Sequence, residues 1–297
     1  MKADKQGVGV IGASSLIGGL LLSKLSSSGL SVHAFTRGVP AESEEGINWR
    51  RLGENYSQNE FSHSSEDAGI RDWVCVAPIW VLQEHFPLLE ANGVRRVVVL
   101  SSTSRFTKEC SSHSMERETA DRLTQSEHVL QAWAEANSVE WIILRPTLIY
   151  GQGRDKNIAE IARFIRRFGF FPLFGAATGL REPVHADDVA EACLSALLNT
   201  DIRDRAYNLS GGERLPYRDM VARVFSAMKR KERVLKVPLW VFRIMVSLLR
   251  LVPRYRHWSV AMAERMNQDL VFDHIDAARD FGFSPRRFEL KPVDVGK

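Results

Sequence analysis

The chain has 297 residues, of which 44% are hydrophobic, 26% charged and 9% aromatic. This composition is typical of a folded globular protein and excludes disordered, collagen-like and coiled-coil chains. The net charge of +4 is too small an excess of basic residues to indicate a nucleic-acid partner. Cys75, Cys110 and Cys193 form no CxxC pair, so we expect no disulfide framework, no metal site and a reducing, cytoplasmic location.

The first half of the chain alternates β-rich runs with helical periodicity. Strands are predicted at 7–12, 31–37, 72–78, 95–102 and 139–146, with a short one at 47–52. Helices are predicted directly after the first strand and at 80–92 and 115–137. Because strands that alternate with helices pair in parallel through right-handed crossovers, the fold class is α/β, with a Rossmann-type doubly wound parallel sheet.

After Tyr150 helical patterns dominate, at 157–168, 186–198, 217–229 and 238–251. Such a tail is typical of a smaller lobe that closes over the carboxyl ends of the strands, where ligands of open α/β sheets bind. We therefore expect residues 1–150 to form a dinucleotide-binding domain. We expect residues 151–297 to form mainly a helical, substrate-binding lobe, and residues 183–211 to belong again to the first domain.

A glycine turn links the first strand to the first helix and has the sequence Gly12-Ala13-Ser14-Ser15-Leu16-Ile17-Gly18. Glycine permits the sharp bend, and the amides at a helix N-terminus attract phosphate. The position after a strand and before a helix predicts that Gly12, Ser14, Ser15, Leu16, Ile17 and Gly18 bind the pyrophosphate of a dinucleotide. The alternative is a tight turn that serves packing alone.

The end of the second strand indicates which dinucleotide binds. An acidic residue there accepts a hydrogen bond from the ribose of NAD, whereas an arginine accommodates the 2′-phosphate of NADP. The strand ends in Phe35-Thr36-Arg37, which has no acid. Arg37 therefore favours NADP, with NAD as the alternative if Arg37 is an ordinary surface residue.

Five sequence blocks together resemble the extended short-chain dehydrogenase/reductase superfamily, specifically the NAD-dependent epimerases and dehydratases. The blocks are GASSLIG at 12, LSSTSRF at 100, LRPTLIYGQG at 144, LREPVHADDVAEA at 180 and AYNLSGGE at 206. The sequence departs from the family pattern at Ser15, where the middle glycine of the turn is usual, and near Thr147, where an asparagine is frequent.

The resemblance implies an oxidoreductase or isomerase that acts on a nucleotide-sugar or a similar anionic carbonyl compound, and it implies a homodimer. It places Ser102, with Thr103 beside it, at the hydroxyl that holds the substrate oxygen. Arg181 matches the arginine that binds the substrate diphosphate, and we expect Arg154 to line the same cleft.

The catalytic tyrosine and lysine of the family have no counterpart. Their expected positions hold Thr119 and Leu123, with no tyrosine between Tyr56 and Tyr150. Three interpretations stay open. Another group carries the proton, with His113, Glu116 or Glu118 as candidates; or the chain is a catalytically silent NADP-binding regulator or scaffold; or the substrate is so reactive that Ser102 and hydride positioning suffice.

Two apolar stretches need separate interpretation. Phenylalanines 168, 170, 171 and 174 either clamp a ligand or, as we favour, pack between the lobes. Residues 238–254 have arginines at helical spacing and are otherwise mostly apolar, which indicates burial, a partner or peripheral membrane contact. The apolar run 237–252 is too short to span a bilayer, and the glycines and serines of 7–22 argue against a signal peptide.

Overall fold

The computed structural model describes residues 7–38, 46–52, 69–107, 114–238, 240 and 264–296. The strands are β1 (Gly7–Ile11), β2 (Ser31–Thr36), β3 (Ile47–Arg51), β4 (Asp72–Cys75), β5 (Arg96–Leu100), β6 (Glu140–Pro146), β7 (Ile149–Tyr150), β8 (Phe171–Phe174), β9 (Leu180–Arg181), β10 (Val184–His185), β11 (Arg205–Leu209), β12 (Leu215–Pro216) and β13 (Val234–Val237). The helices are α1 (Leu16–Ser27), α2 (Ile79–Leu82), α3 (Phe86–Ala91), α4 (Ser104–Thr107), α5 (Ser114–Ala136), α6 (Ile158–Phe168), α7 (Ala186–Leu198), α8 (Tyr217–Ala227) and α9 (Ile275–Phe281).

Seven strands form the central sheet in the order β11-β6-β5-β4-β1-β2-β3, and all of its pairs are parallel. The order reverses between β1 and β4, as in doubly wound folds. The structure therefore confirms the predicted Rossmann-type sheet. It also confirms the short strand predicted at 47–52, which lies at the edge as β3.

Two apolar layers enclose this sheet. One lies under α1 and α7 and includes Leu21 and Val189. The other lies under α2, α3 and α5 and includes Leu123 and Leu130. Every residue of β5 is buried, which explains its uninterrupted apolar run, because a strand covered on both faces does not alternate with polar residues.

The helix predicted at 80–92 is broken. The chain forms α2, then a 3-10 turn at Gln83–His85, then α3. Pro87 stands in the first turn of α3; a proline lacks the amide hydrogen that a continuous helix needs, and its ring clashes with the carbonyl four residues earlier, here that of Gln83. The break therefore follows directly from Pro87.

A third apolar cluster belongs to the second half of the chain and packs α6, β8 and α8 around Tyr150 and Phe288. Small strand pairs complete this lobe: β7 with β10, β9 with β12 and β8 with β13. The described part of this region thus contains short strands that the sequence prediction did not include. Helix α7 and strand β11 pack with the central sheet instead, while the division into two domains stays a prediction.

Among the described helices, none is long and apolar enough to cross a membrane. A helix is predicted at 238–251 and a membrane contact at 238–254. Of these residues, the structure describes Pro238 and Trp240. The rest of both predictions lies outside the described residues.

Candidate functional site

The glycine turn has the tight geometry that a phosphate cradle needs. Gly12 has φ +85°, and a Cβ there would lie 2.6 Å from the backbone nitrogen of Ala77. A Cβ on Gly18 would lie 2.4 Å from the carbonyl oxygens of Ala13 and Gly12. Only glycine fits at such positions without displacing backbone, so both glycines are required by the turn itself.

Ser15 is the N-cap of α1. Its Oγ accepts a hydrogen bond of 3.0 Å from the amide of Gly18, which explains why a serine can replace the usual middle glycine. The backbone amides of Leu16 and Ile17, which come before Gly18, lie in the first turn of α1. Amides in the first turn of a helix have no acceptor within that helix. The turn therefore presents the positive end of the helix dipole to an anion.

The ends of β2 and β3 lie beside this turn. The hydroxyl of Thr36 donates to Ser14 Oγ at 3.3 Å, and the amide of Leu52 donates to the carbonyl of Thr36 at 2.8 Å. Arg37 follows Thr36 and is exposed, and Arg51 is the register partner of Thr36 on β3 and is exposed as well. Sequence reasoning missed Arg51, because its place next to Thr36 depends on strand pairing.

Arg154 reaches the glycine turn instead of the cleft shared with Arg181. Its Nη2 donates to the carbonyl of Ser14 at 3.4 Å, and it lines a cavity of about 350 Å³ beside α1 together with Ser15 and Trp49. The loop after β7 thus brings Arg154 back to the first βα turn, and the expected role of Arg154 in substrate binding stays a prediction.

A larger cavity of about 620 Å³ lies between the carboxyl ends of β5 and β6 and the second lobe. Hydroxyl groups line one part of it: Ser102, Thr103, Ser104, Thr107 and Thr147. Charged groups line another: Lys156, Glu160, Arg181, Glu182 and Arg265. The remaining walls are mostly apolar and include Phe164, Phe171, Phe174, Met220 and Phe272.

Ser102 and Thr103 are held at the end of β5 by the neighbouring strand. The amide of Thr103 donates to the carbonyl of Pro146 at 3.2 Å, and its hydroxyl donates to the same oxygen. Ser102 Oγ accepts from the amide of Ser104 at 3.1 Å. Both side chains line the larger cavity, with Ser102 more accessible than the buried Thr103.

A buried carboxylate fixes the segment that carries these hydroxyls. Glu127 on α5 is fully buried and accepts hydrogen bonds from Ser101 Oγ at 2.5 Å and from the guanidinium of Arg105. Arg145 on β6 binds the same carboxylate through two nitrogens. Sequence reasoning missed this cluster, because its members come from three separate elements.

Arg181 lines the cavity but already holds three backbone carbonyls, those of Leu180, Arg265 and Gln268. Burial lowers the pKa of Arg181 to about 10, so the group remains charged at neutral pH. It therefore fastens residues 265–268 to β9 in addition to placing a positive charge in the cavity.

The positions of the missing catalytic pair are occupied by residues of another kind. The hydroxyl of Thr119 donates to the carbonyl of Met115 on its own helix at 2.8 Å, and Leu123 is buried under the sheet. Of the proton-carrying candidates, Glu118 is exposed on α5 outside the described cavity lining. Glu116 forms an ion pair of 2.5 Å with Arg265, and His113 lies outside the described residues.

The four phenylalanines of this stretch have different surroundings, and both predicted roles stay predictions. Phe171 and Phe174 line the cavity and also belong to the second core. Phe168 is 52% exposed at the end of α6, and Phe170 packs edge-on against Phe164.

Comparison with known proteins fits this arrangement. The model of the NAD dependent epimerase/dehydratase family matches residues 86–210, which run from α3 through the strand ends that line the cavity to just beyond β11. Over these residues the chain is similar to this family. The UDP-glucose 4-epimerase of Vibrio cholerae is 23% identical to this chain over 167 residues, which cover 53% of the chain and 51% of that enzyme.

A second relative has a different name. The mitochondrial NADH dehydrogenase [ubiquinone] 1 alpha subcomplex subunit 9 of Arabidopsis thaliana is 24% identical over 197 residues, which cover 66% of this chain and 44% of that subunit. The chain spans about half the length of these curated relatives. Among solved structures, the UDP-glucose 4-epimerase of Thermus thermophilus in complex with NAD superimposes with a TM-score of 0.67 at 18% identity, covering 97% of each chain. This likeness shows that the two chains share the same fold.

Proposed function

We propose that this protein binds NADP(H) and acts as an oxidoreductase or isomerase on a nucleotide-sugar. One observation carries the proposal: the glycine turn after β1 and the hydroxyl-lined cavity at β5 and β6 both lie at the carboxyl ends of parallel strands of one sheet, with β4 between β1 and β5. In such sheets, a dinucleotide bound at the first turn extends along the strand ends towards the substrate.

The residues at the turn fit a dinucleotide with a 2′-phosphate. Gly12 and Gly18 leave the space that a Cβ would fill, and residues 7–38 contain neither Asp nor Glu. Arg37 and Arg51 supply cationic donors beside Thr36, and guanidinium groups bind phosphate oxygens through two parallel hydrogen bonds. The structural relative from T. thermophilus is complexed with NAD, so NAD is the alternative cofactor.

The larger cavity fits a substrate that is both anionic and partly apolar. Arg181, Arg265 and Lys156 place positive charge in it, and aromatic side chains such as Phe171 and Phe272 provide flat surfaces for a nucleobase. The name of the V. cholerae relative refers to UDP-glucose. A nucleoside diphosphate sugar satisfies both requirements, and the glycine-turn contact of Arg154 makes that residue a cofactor ligand in this proposal.

When bound, the nicotinamide supplies or accepts a hydride at the sugar carbon. The chain must then hold the oxygen on that carbon and move its proton. Ser102 donates its hydroxyl hydrogen to that oxygen, while Thr103, whose own hydrogen goes to Pro146, accepts a hydrogen bond from the oxygen when it is protonated. The hydroxyl-lined part of the cavity offers a path for the proton. Neither Thr119 nor Leu123 can perform the acid/base step of the tyrosine and lysine pair.

That departure favours a second candidate function, a cofactor-binding regulator or scaffold without turnover. Thr119 donates to its own helix and Leu123 is buried, so both positions serve the structure of α5. One relative is named as a subunit of a larger assembly. Homodimer formation, a cytoplasmic location and membrane contact through 238–254 stay predictions under either function.

The two functions separate in one assay. Protein saturated with NADPH or NADP+ is offered a panel of UDP- and dTDP-sugars, and both the absorbance of reduced nicotinamide and the product sugars by NMR are recorded. Turnover that falls in the Ser102→Ala and Thr103→Val variants supports the enzyme. Tight NADPH binding with no altered sugar over the whole panel supports the regulator.

A further inference from the structure

Two segments in the second half of the chain form a basic and apolar surface. It consists of residues 160–168, from α6, and residues 229–238 with Trp240, which include β13. The two segments are joined directly, because Arg230 Nη1 donates to the carbonyl of Ile165 at 3.2 Å. The amide of Phe171 also donates to the carbonyl of Arg233 at 2.9 Å. We call this the docking surface.

The docking surface concentrates positive charge. Its residues include eight lysines and arginines against two glutamates, Glu160 and Glu232, a local excess larger than the +4 of the entire chain. All six charged side chains of 229–236 are exposed. Glu160 forms an exposed ion pair of 3.5 Å with Arg163, which leaves the other basic groups to dominate the local potential.

Large apolar side chains lie exposed among these charges. Phe168 is 52% exposed, Leu235 is 54% exposed and Trp240 is 67% exposed. Phe168 packs against Phe164 with ring centroids 4.6 Å apart, so its position is fixed even though half of it faces outward. Basic side chains that surround exposed Trp, Phe and Leu are the pattern of proteins that rest on a membrane interface.

The apolar residues also decide between lipid and nucleic acid. Basic groups bind the phosphates of either, and aromatic rings stack on bases as well as enter lipid. Leu235, however, offers neither a base-stacking ring nor a hydrogen bond, whereas a bilayer takes up an aliphatic side chain with a gain in free energy. The combination therefore favours a lipid surface.

We propose that residues 160–168 and 229–238, with Trp240, dock this protein onto an anionic lipid bilayer. Lys229, Lys231 and Lys236 bind headgroups, while Phe168, Leu235 and Trp240 enter the interface. Strand β13 pairs with β8, which supplies Phe171 and Phe174 to the larger cavity. Docking thus places one wall of the cavity a single strand away from the lipid. The inference does not depend on the identity of the substrate.

Vesicle flotation tests the proposal with the full chain. Vesicles of phosphatidylcholine alone are compared with vesicles in which phosphatidylglycerol makes up about a third of the lipid, a density of negative charge that attracts polybasic segments. The protein is expected to float with the anionic vesicles and to remain behind with the neutral ones. Binding is expected to weaken as salt is raised, because salt screens exposed charges.

Two sets of variants locate the contact. The triple change Lys229→Gln, Lys231→Gln and Lys236→Gln is expected to weaken binding about 100-fold, since each basic residue near an anionic surface contributes about fivefold. The matched control removes three exposed arginines at the amino ends of strands: Arg71→Gln, Arg95→Gln and Arg203→Gln. This control leaves binding within about threefold of the wild type.

A second variant, with its own control, tests the contribution of the exposed apolar side chains. The double change Phe168→Ser and Leu235→Ser is expected to weaken binding at least about tenfold. Leu198→Ser with Ile275→Ser, at positions that are 52% and 67% exposed, is the control and has no effect. Three results would each overturn the proposal. They are no binding to anionic vesicles, an equal loss of binding in variants and controls, and displacement from vesicles by a single-stranded RNA that binds more tightly.

Discussion

Arg145 and Glu127 form a two-point ion pair between β6 and α5, with Nη2 to Oε2 at 2.5 Å and Nε to Oε1 at 3.1 Å. The carboxylate is fully buried and also binds Ser101 and Arg105. These two residues flank the hydroxyls assigned to the substrate oxygen. A side chain remote from the cavity thereby positions the segment that carries the proposed chemistry.

Glu127→Gln is expected to lower the free energy of unfolding by about 3 kcal/mol, because it leaves two arginines in a buried site without their counter-charge. Urea denaturation measures the change. Glu191→Gln is the control: Glu191 pairs with Lys24 at 2.9 Å but is 56% exposed, so its loss is expected to be below about 1 kcal/mol. Equal losses in both variants would show that the Glu127 cluster contributes no more than a surface pair.

Gly18→Ala is expected to weaken NADPH binding by at least about tenfold and to reduce stability by about 1–3 kcal/mol, since the new Cβ meets two carbonyl oxygens and forces the turn to shift. Gly19→Ala is its neighbour control. A Cβ on Gly19 meets nothing within 4 Å, and alanine in a helix gains up to about 1 kcal/mol over glycine. Calorimetric titration and thermal unfolding give both quantities. Unchanged NADPH affinity in Gly18→Ala would remove the turn from the binding site.

Arg37→Ala and Arg51→Ala are each expected to weaken NADPH binding by about tenfold or more, because a charge-assisted hydrogen bond to phosphate is lost. NADH has no 2′-phosphate, so its affinity is expected to stay within about twofold. Arg71→Ala, at the opposite end of the sheet, serves as the control. Parallel losses for both cofactors would contradict the role of these arginines in selectivity.

Asp294 makes stability depend on acid pH. Burial opposes ionisation of this carboxyl, but hydrogen bonds from His185 and from the amides of Lys291 and Gln152 outweigh it and hold the pKa of Asp294 below its ordinary 3.8. A pKa lowered by folding contributes stability that is fully present above the unfolded value and is lost as pH falls through the folded value. This contribution therefore disappears below about pH 4.

Asp294→Asn is expected to lower the free energy of unfolding at neutral pH by about 1–2 kcal/mol and to flatten its fall below about pH 4. Asp201→Asn, at an exposed position, is the control for a general change of charge. Chemical denaturation at a series of pH values shows the slope. A slope in Asp294→Asn as steep as in the wild type would assign the acid sensitivity to other groups.

The central sheet and the glycine turn were predictable because both depend on local sequence. Continuous apolar runs such as β5 indicate buried strands, and Gly12 and Gly18 mark a strand-to-helix turn. The break of the helix at Pro87 was equally local, since the proline stands in the sequence, but the helical periodicity on both sides obscured it.

The parts of the site that were not predicted come from tertiary contacts. Arg51 lies beside Thr36 through the register of β3, Arg154 reaches the first turn through a folded-back loop, and Arg265 approaches the cavity from 84 residues beyond Arg181. Glu127 has the appearance of an ordinary charged residue on a helix until three elements surround it. The residue periodicity within one segment carries no information about such tertiary contacts.

Calorimetric titration of the purified protein with NADPH and with NADH tests the central claim most directly. We expect one NADPH to bind per chain, at least about tenfold more tightly than NADH, because the phosphate meets two arginines at the glycine turn. If the titration detects no heat of binding with either dinucleotide, the account is contradicted, whatever activity the protein has.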